Sequence, residues 1–382
     1  MPLHFDATEY SARQARATKA VQEAGLDAIL LFAPESHYWL CGYDTFGFAM
    51  FQCMVLTASG DLHLMTRMPD RLQAKHTSTL TDAQIHVWPQ YEGSNPAAHL
   101  RDLLQKLKVA NGRLGYESQT PGLTDANGAL LKGQLPDVTD HSDLIRALRR
   151  VKSPAEVEMH RRAAALSDAA MDAGLTETRA GAFEGDILAA MQGAVFKGGG
   201  DYAGNEFILG SGPGALLCRY YSGRRHLDAQ DQMTWEWSGA YARYHAAMMQ
   251  TVVIGEPNDT QRHMHTAARA ALEACEAAIR PGDPMGHVFD AHARTLDAHG
   301  LSSARMQACG YGMGAVYNPI WVDFPMFYEG NPLIMQAGQV FFLHMILMDE
   351  AQGLAMCLGH SVLVTDTGVE RLSKQPLDML VR

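Results

Sequence analysis

The sequence lacks the features that mark membrane-spanning, secreted and nucleic-acid-binding proteins. No uninterrupted apolar run reaches the roughly 18 residues that a membrane span needs. Residues 1–10 show no basic stretch followed by an apolar one, so we expect no signal peptide. Acidic side chains outnumber basic ones, 42 to 31, which gives a formal charge of −11. Since a nucleic-acid binder needs a basic face, we expect neither nucleic acid nor a membrane as a partner.

Paired cysteines and the common nucleotide and nucleophile motifs are also missing. The six cysteines are scattered and form no Cys-x-x-Cys pair, which is typical of reduced thiols in a cytoplasmic protein. No P-loop or Gly-x-Ser-x-Gly elbow occurs, and the glycines within 210–214 lack the spacing of a dinucleotide-binding loop. His263 and His265 lie two residues apart on a predicted helix, so they do not share a face as a metal pair would.

The length and the patterns that are present predict two domains. The chain has 382 residues, of which 47% are apolar and 19% charged, enough to bury a large core. Residues 1–152 alternate helices with short apolar strands, which predicts an α/β domain. At residue 153 a helix start follows: Ser153 as N-cap, Pro154 in the first helical position and Glu156 in the first turn. Longer helices and several strands are predicted after it.

Four segments, in order, carry a resemblance to a known family. They are the helix start RRVKSPAEVEMHRRAA, the strand region DQMTWEWSGAYARYHAAMMQTVVIGEP, the turn GYGMG, and the tail AGQVFFLH followed by GHSVLVTDTGVERLS. Their order and spacing resemble the creatinase, prolidase and methionine aminopeptidase superfamily. The resemblance implies an α/β N-terminal domain over residues 1–152 and an α+β pita-bread catalytic domain over residues 153–382.

The metal-dependent members of that superfamily hold two divalent ions with two Asp, one His and two Glu side chains. Matched position by position, this chain has at those places Glu236, Ala247, Tyr311, His344 and Gly359. One carboxylate remains, whereas two bridged cations need several anionic oxygens. The resemblance therefore implies an enzyme with no metal and no other cofactor. A single zinc ion held by Glu236, His344 and His360 stays an alternative, because those residue types suit zinc.

Two metal-independent groups of the superfamily, creatinases and ectoine hydrolases, cleave C–N bonds of small cationic or zwitterionic compounds. Where creatinases use a His base this chain has Arg219, and its E-W-S-G and G-H-S-V-L-V-T patterns resemble ectoine hydrolases more closely. The resemblance implies ring opening of ectoine, a cyclic amidine with a carboxylate, to an N-acetyl-2,4-diaminobutyrate. A creatinase-like amidinohydrolase acting on another guanidino or betaine compound stays open, as does an inactive module that only binds.

The candidate catalytic residues follow from the matched positions. Glu236 is expected to pair with the amidinium and then attack its carbon or deprotonate a water. Because the intrinsic pKa of histidine suits proton transfer, the candidate proton carriers are His245, His344 and His360. We expect His344 and His360 to face the same pocket, since each replaces or flanks a former metal ligand.

The candidate substrate contacts begin with Arg219, whose guanidinium can hold a carboxylate through two parallel bonds. Tyr220 and Tyr311 are candidate hydrogen-bond donors. In the aromatic stretch after Tyr311, Trp321 is expected to box a cation and Asp323 to pair with it. The resemblance also implies a homodimer in which the N-terminal domain of one subunit closes the active site of its partner, with Phe46 as the candidate lid residue.

Overall fold

The structure, a computed structural model, describes residues 3–219 and 223–382. The chain divides into two compact units, Met1–Arg149 and Arg150–Arg382. In the described part of the chain, no helix combines the length and the apolar composition that a bilayer crossing requires.

The first unit is an α/β unit with a mixed sheet between two layers of helices. Its strands are β1 (Ala28–Leu31), β2 (Cys53–Thr57), β3 (Leu62–Thr66), β4 (Ile85–Val87), β5 (Leu114–Tyr116) and β6 (Thr139–Asp140). Its helices are α1 (Ala7–Glu23), α2 (Pro34–Cys41), α3 (Met68–Thr77), α4 (Pro96–Lys106), α5 (Asp125–Gln134) and α6 (Asp143–Arg149). The sheet order is β4-β3-β2-β1-β5-β6. Since strand side chains alternate, Ile29 packs in the core with α1 and α2, and its neighbour Leu30 packs in the core with α4.

The second unit combines long helices with a large, mostly antiparallel sheet. Its helices are α7 (Pro154–Glu177), α8 (Glu184–Lys197), α9 (Asp259–Ala278) and α10 (Gly286–Ala298). Its strands are β7 (Ile208–Ser211), β8 (Asp231–Tyr241), β9 (Tyr244–Ile254), β10 (Ala308–Gly312), β11 (Asp323–Tyr328), β12 (Val340–Asp349), β13 (Leu354–Val364), β14 (Val369–Arg371) and β15 (Leu380–Val381). The main order is β11-β10-β12-β13-β9-β8-β7, with β14 on β13 and β15 on β9.

The helix start predicted at residue 153 is confirmed. The Ser153 side chain accepts a hydrogen bond from the Glu156 backbone N–H at 3.3 Å, and the Glu156 carboxylate accepts one from the Ser153 N–H at 2.8 Å. This reciprocal capping box satisfies two backbone donors that a helix N-terminus otherwise leaves unpaired. Pro154 occupies the first helical position, as predicted.

Candidate active site

One face of the second unit's sheet carries the positions that hold metal ligands in the resembled superfamily. Glu236 on β8 lies opposite Met249 on β9, which lies opposite Gly359 on β13. Gly359 in turn lies opposite His344 on β12. Because directly opposed residues of antiparallel strands project to the same side, this row brings Glu236 and His344 to a common face.

The adjacent row of side chains points the other way, toward the helices. Trp237 lies opposite Met248, and Met248 lies opposite His360. The Trp237 indole N–H donates to the carbonyl oxygen of Ser167, in α7, at 3.0 Å. Since neighbours on a strand alternate sides, Glu236 is turned away from α7.

Glu236 is a buried carboxylate that titrates near neutral pH. Its side chain is 7% exposed, and burial raises its pKa to about 7, against the opposing influence of the Arg219 charge and a hydrogen bond from Tyr311. A general base works best when its pKa lies close to the operating pH. Glu236 therefore has the protonation behaviour that the predicted role requires.

Tyr311 and Trp321 form a hydrogen-bonded pair beside Glu236. Tyr311 lies on β10 opposite Phe342, two residues before His344, so it projects to the same face. Its hydroxyl donates to Oε1 of Glu236 at 3.4 Å and accepts from the Trp321 indole N–H at 2.8 Å. Burial raises the pKa of Tyr311 well above its ordinary value, so the hydroxyl keeps its proton. Trp321 is 1% exposed, and its N–H engages Tyr311. Its role in boxing a substrate cation stays a prediction.

Arg219 follows the short 3-10 helix Gly212–Leu216 and has an exposed side chain. Its charge lowers the pKa of Glu236, in opposition to burial, so the guanidinium lies close enough to act on the carboxylate. Tyr220, the neighbouring candidate, lies outside the described residues. Arg219 is thus a charged group near Glu236, and its own side chain is open to water.

His344 is a neutral imidazole on the face of Glu236. Burial lowers its pKa to about 3, so at physiological pH it carries no positive charge. Its ring centroid lies 5.5 Å from that of Tyr311. Its Nδ1 atom has no hydrogen-bond partner within the described residues. The ring can thus offer a hydrogen bond to a ligand or to water, but it does not store a proton for transfer.

His360 lies on the opposite face, so the prediction that it faces the same pocket is wrong. It pairs in register with Leu343 and Met248, one residue away from the row of Glu236. Its Nε2 lies 2.6 Å from Oε1 of Glu276 in α9. The same carboxylate accepts two bonds from Arg371, at 2.6 and 2.7 Å. A shift of one residue along a strand reverses the side that a side chain faces, and this places His360 in a structural cluster under α9.

His245 is held on both ring nitrogens and is not placed to carry a proton, which corrects its candidate role. Its Nδ1 lies 2.8 Å from the Arg243 carbonyl oxygen, and its Nε2 accepts from the Gly204 N–H at 2.8 Å. The residue is completely buried, and burial lowers its pKa to about 4. A neutral ring with both nitrogens engaged ties β9 to the backbone at 204.

The other two candidate contacts lie in different surroundings. Asp323 is 4% exposed at the start of β11, and its carboxylate packs so closely on Gly314 that a Cβ there would come within 2.5 Å of Oδ2. Phe46 belongs to the first unit, and its ring is 84% exposed. The roles assigned to both stay predictions.

The residues present do not fit the two-metal site of the resembled superfamily. Ala247 and Gly359 bring no donor atom. At Gly359 an added Cβ would lie 2.4 Å from the Leu343 carbonyl oxygen, so the strand pairing leaves no room for the expected carboxylate side chain. Within residues 3–219 and 223–382, no three His, Cys, Asp or Glu side chains are grouped so that they could hold a metal ion. The alternative zinc site also loses a ligand, because His360 faces away from Glu236.

Two thiols beside Glu236 were missed by the sequence analysis. Burial raises the pKa of both Cys218 and Cys357, and the charge of Glu236 raises each further. Cys357 lies two residues before Gly359 on β13 and therefore shares its face. That spacing was the available signal. With raised pKa values both thiols are protonated at neutral pH and line the carboxylate as small apolar groups.

Comparisons with known proteins agree with this architecture. The profile of "Metallopeptidase family M24" matches residues 158–366, and that of the "Creatinase/Prolidase N-terminal domain" matches residues 13–151. An uncharacterized hydrolase/peptidase of Sinorhizobium fredii is 26% identical over 100% of this chain and 99% of its own. The ectoine hydrolase of Halomonas elongata is 25% identical over 100% of this chain and 99% of its own.

Solved structures show the same fold. Dipeptidase PepE from Mycobacterium ulcerans superposes with a TM-score of 0.86 at 24% sequence identity, covering 99% of each chain. The α/β N-terminal domain and the α+β pita-bread domain expected from the sequence are thereby confirmed.

Proposed function

Since the chain belongs to metallopeptidase family M24, a hydrolase family, we propose that it hydrolyses a C–N bond of a small zwitterion without a metal ion. The first candidate substrate is ectoine, a cyclic amidine that bears a carboxylate. The observation that carries this proposal is Glu236, the single carboxylate among the five matched positions, buried and with a pKa of about 7. The full-length similarity to an ectoine hydrolase supports the choice of substrate.

The charge of an amidinium suits Glu236. A buried carboxylate needs a partner for its negative charge, and a substrate cation supplies one at the moment of binding. The amidinium carbon is already electrophilic, so attack on it requires no Lewis acid. Glu236 deprotonates a water that adds to this carbon, or attacks the carbon itself. In the water route the tetrahedral intermediate collapses by breaking one C–N bond, with transfer of the proton to the departing nitrogen.

Glu236 also supplies the proton in this scheme. It takes a proton from the attacking water and returns it to the leaving amine, so one molecule of water is consumed and the products are an amide and an amine. His344 is neutral at the relevant pH and serves as a hydrogen-bond partner for substrate or water. Arg219 binds the substrate carboxylate, as its charge and open position allow.

The assembly proposed for this enzyme follows from the resemblance. We propose a cytoplasmic homodimer in which the loop with Phe46 of one subunit covers the active site of the partner. The 84% exposure of Phe46 supports this, because covering a large apolar ring removes it from water, which is energetically favourable.

The test is hydrolysis of ectoine by the purified protein, followed by NMR detection of the ring-opened product before and after dialysis against a chelator. We expect turnover that survives chelation, and a loss of at least about a hundredfold in Glu236→Gln. Glu206→Gln is the matched control, since Glu206 is an exposed glutamate.

Three results would contradict the proposal, each pointing to a rival. Cleavage of Xaa-Pro dipeptides that stops on chelation would identify a metallopeptidase. Release of urea or amine from guanidino or betaine compounds, with no ectoine turnover, would identify a creatinase-like amidinohydrolase. Binding of zwitterions with no turnover at all would identify a binding module.

A further inference from the structure

Trp321 contacts the proposed reacting carboxylate only through a second side chain. Its indole N–H bonds to the Tyr311 hydroxyl, and that hydroxyl bonds to Glu236. We infer that Trp321 is a positioning residue, which holds the Tyr311 hydroxyl so that its proton points at Glu236. The inference rests on the proposed function, in which Glu236 is the reacting group.

The direction of the hydrogen bonds follows from the donors involved. An indole N–H can only donate, whereas a tyrosine hydroxyl has one proton to give and lone pairs to accept with. Once Trp321 occupies a lone pair at 2.8 Å, the Tyr311 proton is directed to its other bonded neighbour, Glu236 Oε1. At 3.4 Å this second bond is long, so a small rotation of the hydroxyl is enough to break it. The orientation set by Trp321 therefore decides whether the bond exists.

The backbone of Trp321 is itself fixed by a neighbouring segment. Its N–H donates to the Asn205 side-chain oxygen at 3.2 Å. At Gly204 an added Cβ would lie 3.0–3.1 Å from the backbone at Ile320 and Trp321, so the two backbone segments are in direct contact. Gly204 is held by His245, through the 2.8 Å bond to Nε2. His245 thus anchors the segment that fixes Trp321, and this gives the buried imidazole a purpose other than proton transfer.

The surroundings of Glu236 make the Tyr311 bond the adjustable influence on its ionisation. Within the described residues, the titratable groups that interact with Glu236 or share its face are Arg219, Cys218, Tyr311, His245, His344 and Cys357. Burial keeps both thiols and the tyrosine protonated and both histidines neutral through pH 5–8. Loss of the hydrogen bond then removes stabilisation of the ionised carboxylate, so the pKa of Glu236 rises.

The experiment measures the pKa of Glu236 in the ligand-free protein by ¹³C NMR of labelled glutamate, assigned with Glu236→Gln. For Tyr311→Phe we expect a rise of about one unit, and for Trp321→Phe about half of that. Adding Trp321→Phe to Tyr311→Phe should produce no further rise. Trp237→Phe is the matched control, because it removes an indole hydrogen bond on the face of β8 opposite to that of Glu236. It should leave the pKa of Glu236 unchanged.

Two results would overturn the inference: an unchanged pKa in folded Trp321→Phe, or an equal rise in the presence and absence of Tyr311. If Trp321→Phe does not fold, Asn205→Ala tests the same point. It removes the acceptor of the Trp321 backbone N–H, together with a bond from the Asn205 amide to the Glu206 carbonyl oxygen. We expect a smaller rise in the pKa of Glu236 that again disappears in Tyr311→Phe. No rise in this variant would also overturn the inference.

Ectoine turnover measured on the same samples separates this inference from the proposed function. The expected pKa shifts without turnover would keep the positioning role and reject the function. Ectoine turnover whose acid limb lies at the same pH in Trp321→Phe as in the native protein would keep the function and reject the positioning role.

Discussion

Glu236→Gln is expected to stabilise the fold at alkaline pH, although it removes the group that the proposed chemistry requires. Burial raises the pKa of Glu236 from 4.5 to about 7. Below pH 4.5 the carboxyl is protonated in both the folded and the unfolded chain, so it contributes no pH dependence. Between 4.5 and 7 the unfolded chain ionises first, and stability falls as pH rises. Above 7 the folded protein carries the full cost of a buried charge.

The magnitude follows from the size of the shift. The difference between about 7 and 4.5 is about 2.5 pKa units, which corresponds to roughly 3 kcal/mol at pH 8. At pH 5 the same calculation gives less than about 1 kcal/mol. Glutamine has nearly the shape of glutamate and keeps an oxygen that accepts from Tyr311, so the variant removes the charge with little change in packing. The gain in free energy of unfolding should therefore grow by about 2 kcal/mol from pH 5 to pH 8.

The assay is urea unfolding of the native protein, Glu236→Gln and Glu206→Gln at both pH values. Since two units need not unfold together, hydrogen exchange of β8 peptides should report the second unit separately. Glu206 is exposed, so its variant should stay within about 0.5 kcal/mol of the native protein. A Glu236→Gln variant whose gain is the same at pH 5 and pH 8 would refute the assignment of a buried, ionisable carboxylate.

Two further predictions concern the side chains around Glu236. His344→Gln should reduce ectoine turnover at least about tenfold with little change in stability. His360→Gln should instead lower the free energy of unfolding by about 1–3 kcal/mol and leave turnover nearly unchanged. Turnover assays and urea titrations on both variants check this, and the opposite pattern would refute the assignment of the two histidines to opposite faces of the sheet. Arg219→Gln should raise KM for a carboxylate-bearing substrate about tenfold or more. It should also move the acid limb of kcat/KM to higher pH, because the Arg219 charge lowers the pKa of Glu236 in the native protein. An acid limb that stays at the same pH would contradict the interaction between Arg219 and Glu236.

Local sequence signals predicted the parts of the fold that local chemistry determines. The capping residues correctly predicted the start of α7 at Pro154. Helix α2, Pro34–Cys41, was missed because it is buried on nearly every side, and a helix without a polar face shows no period of 3.6. Strand β10, Ala308–Gly312, was missed because glycine is rare in strands and its pairing is irregular.

Matching to the superfamily predicted the shared face of Glu236, Tyr311 and His344, and it failed where a single residue decides the side. Gly359 occupies the matched position, so its neighbour His360 had to project toward the helices. The bonds of His245 depend on Gly204, far away along the chain. No local pattern carries such a contact, and only the folded arrangement of the two segments shows it.

The residues that replace metal ligands on this face remove negative charge from it. Several carboxylates placed together repel one another and ionise only when cations neutralise them. With Ala247, His344 and Gly359 in place of the other three carboxylates of that site, Glu236 lacks such neighbours there, and its buried charge calls for compensation from another source. Arg219 supplies part of it, and under the proposed function the substrate cation supplies the rest. The positive charge that metal ions bring to related enzymes would then arrive with the substrate, so an uncharged analogue should bind more weakly than the zwitterion.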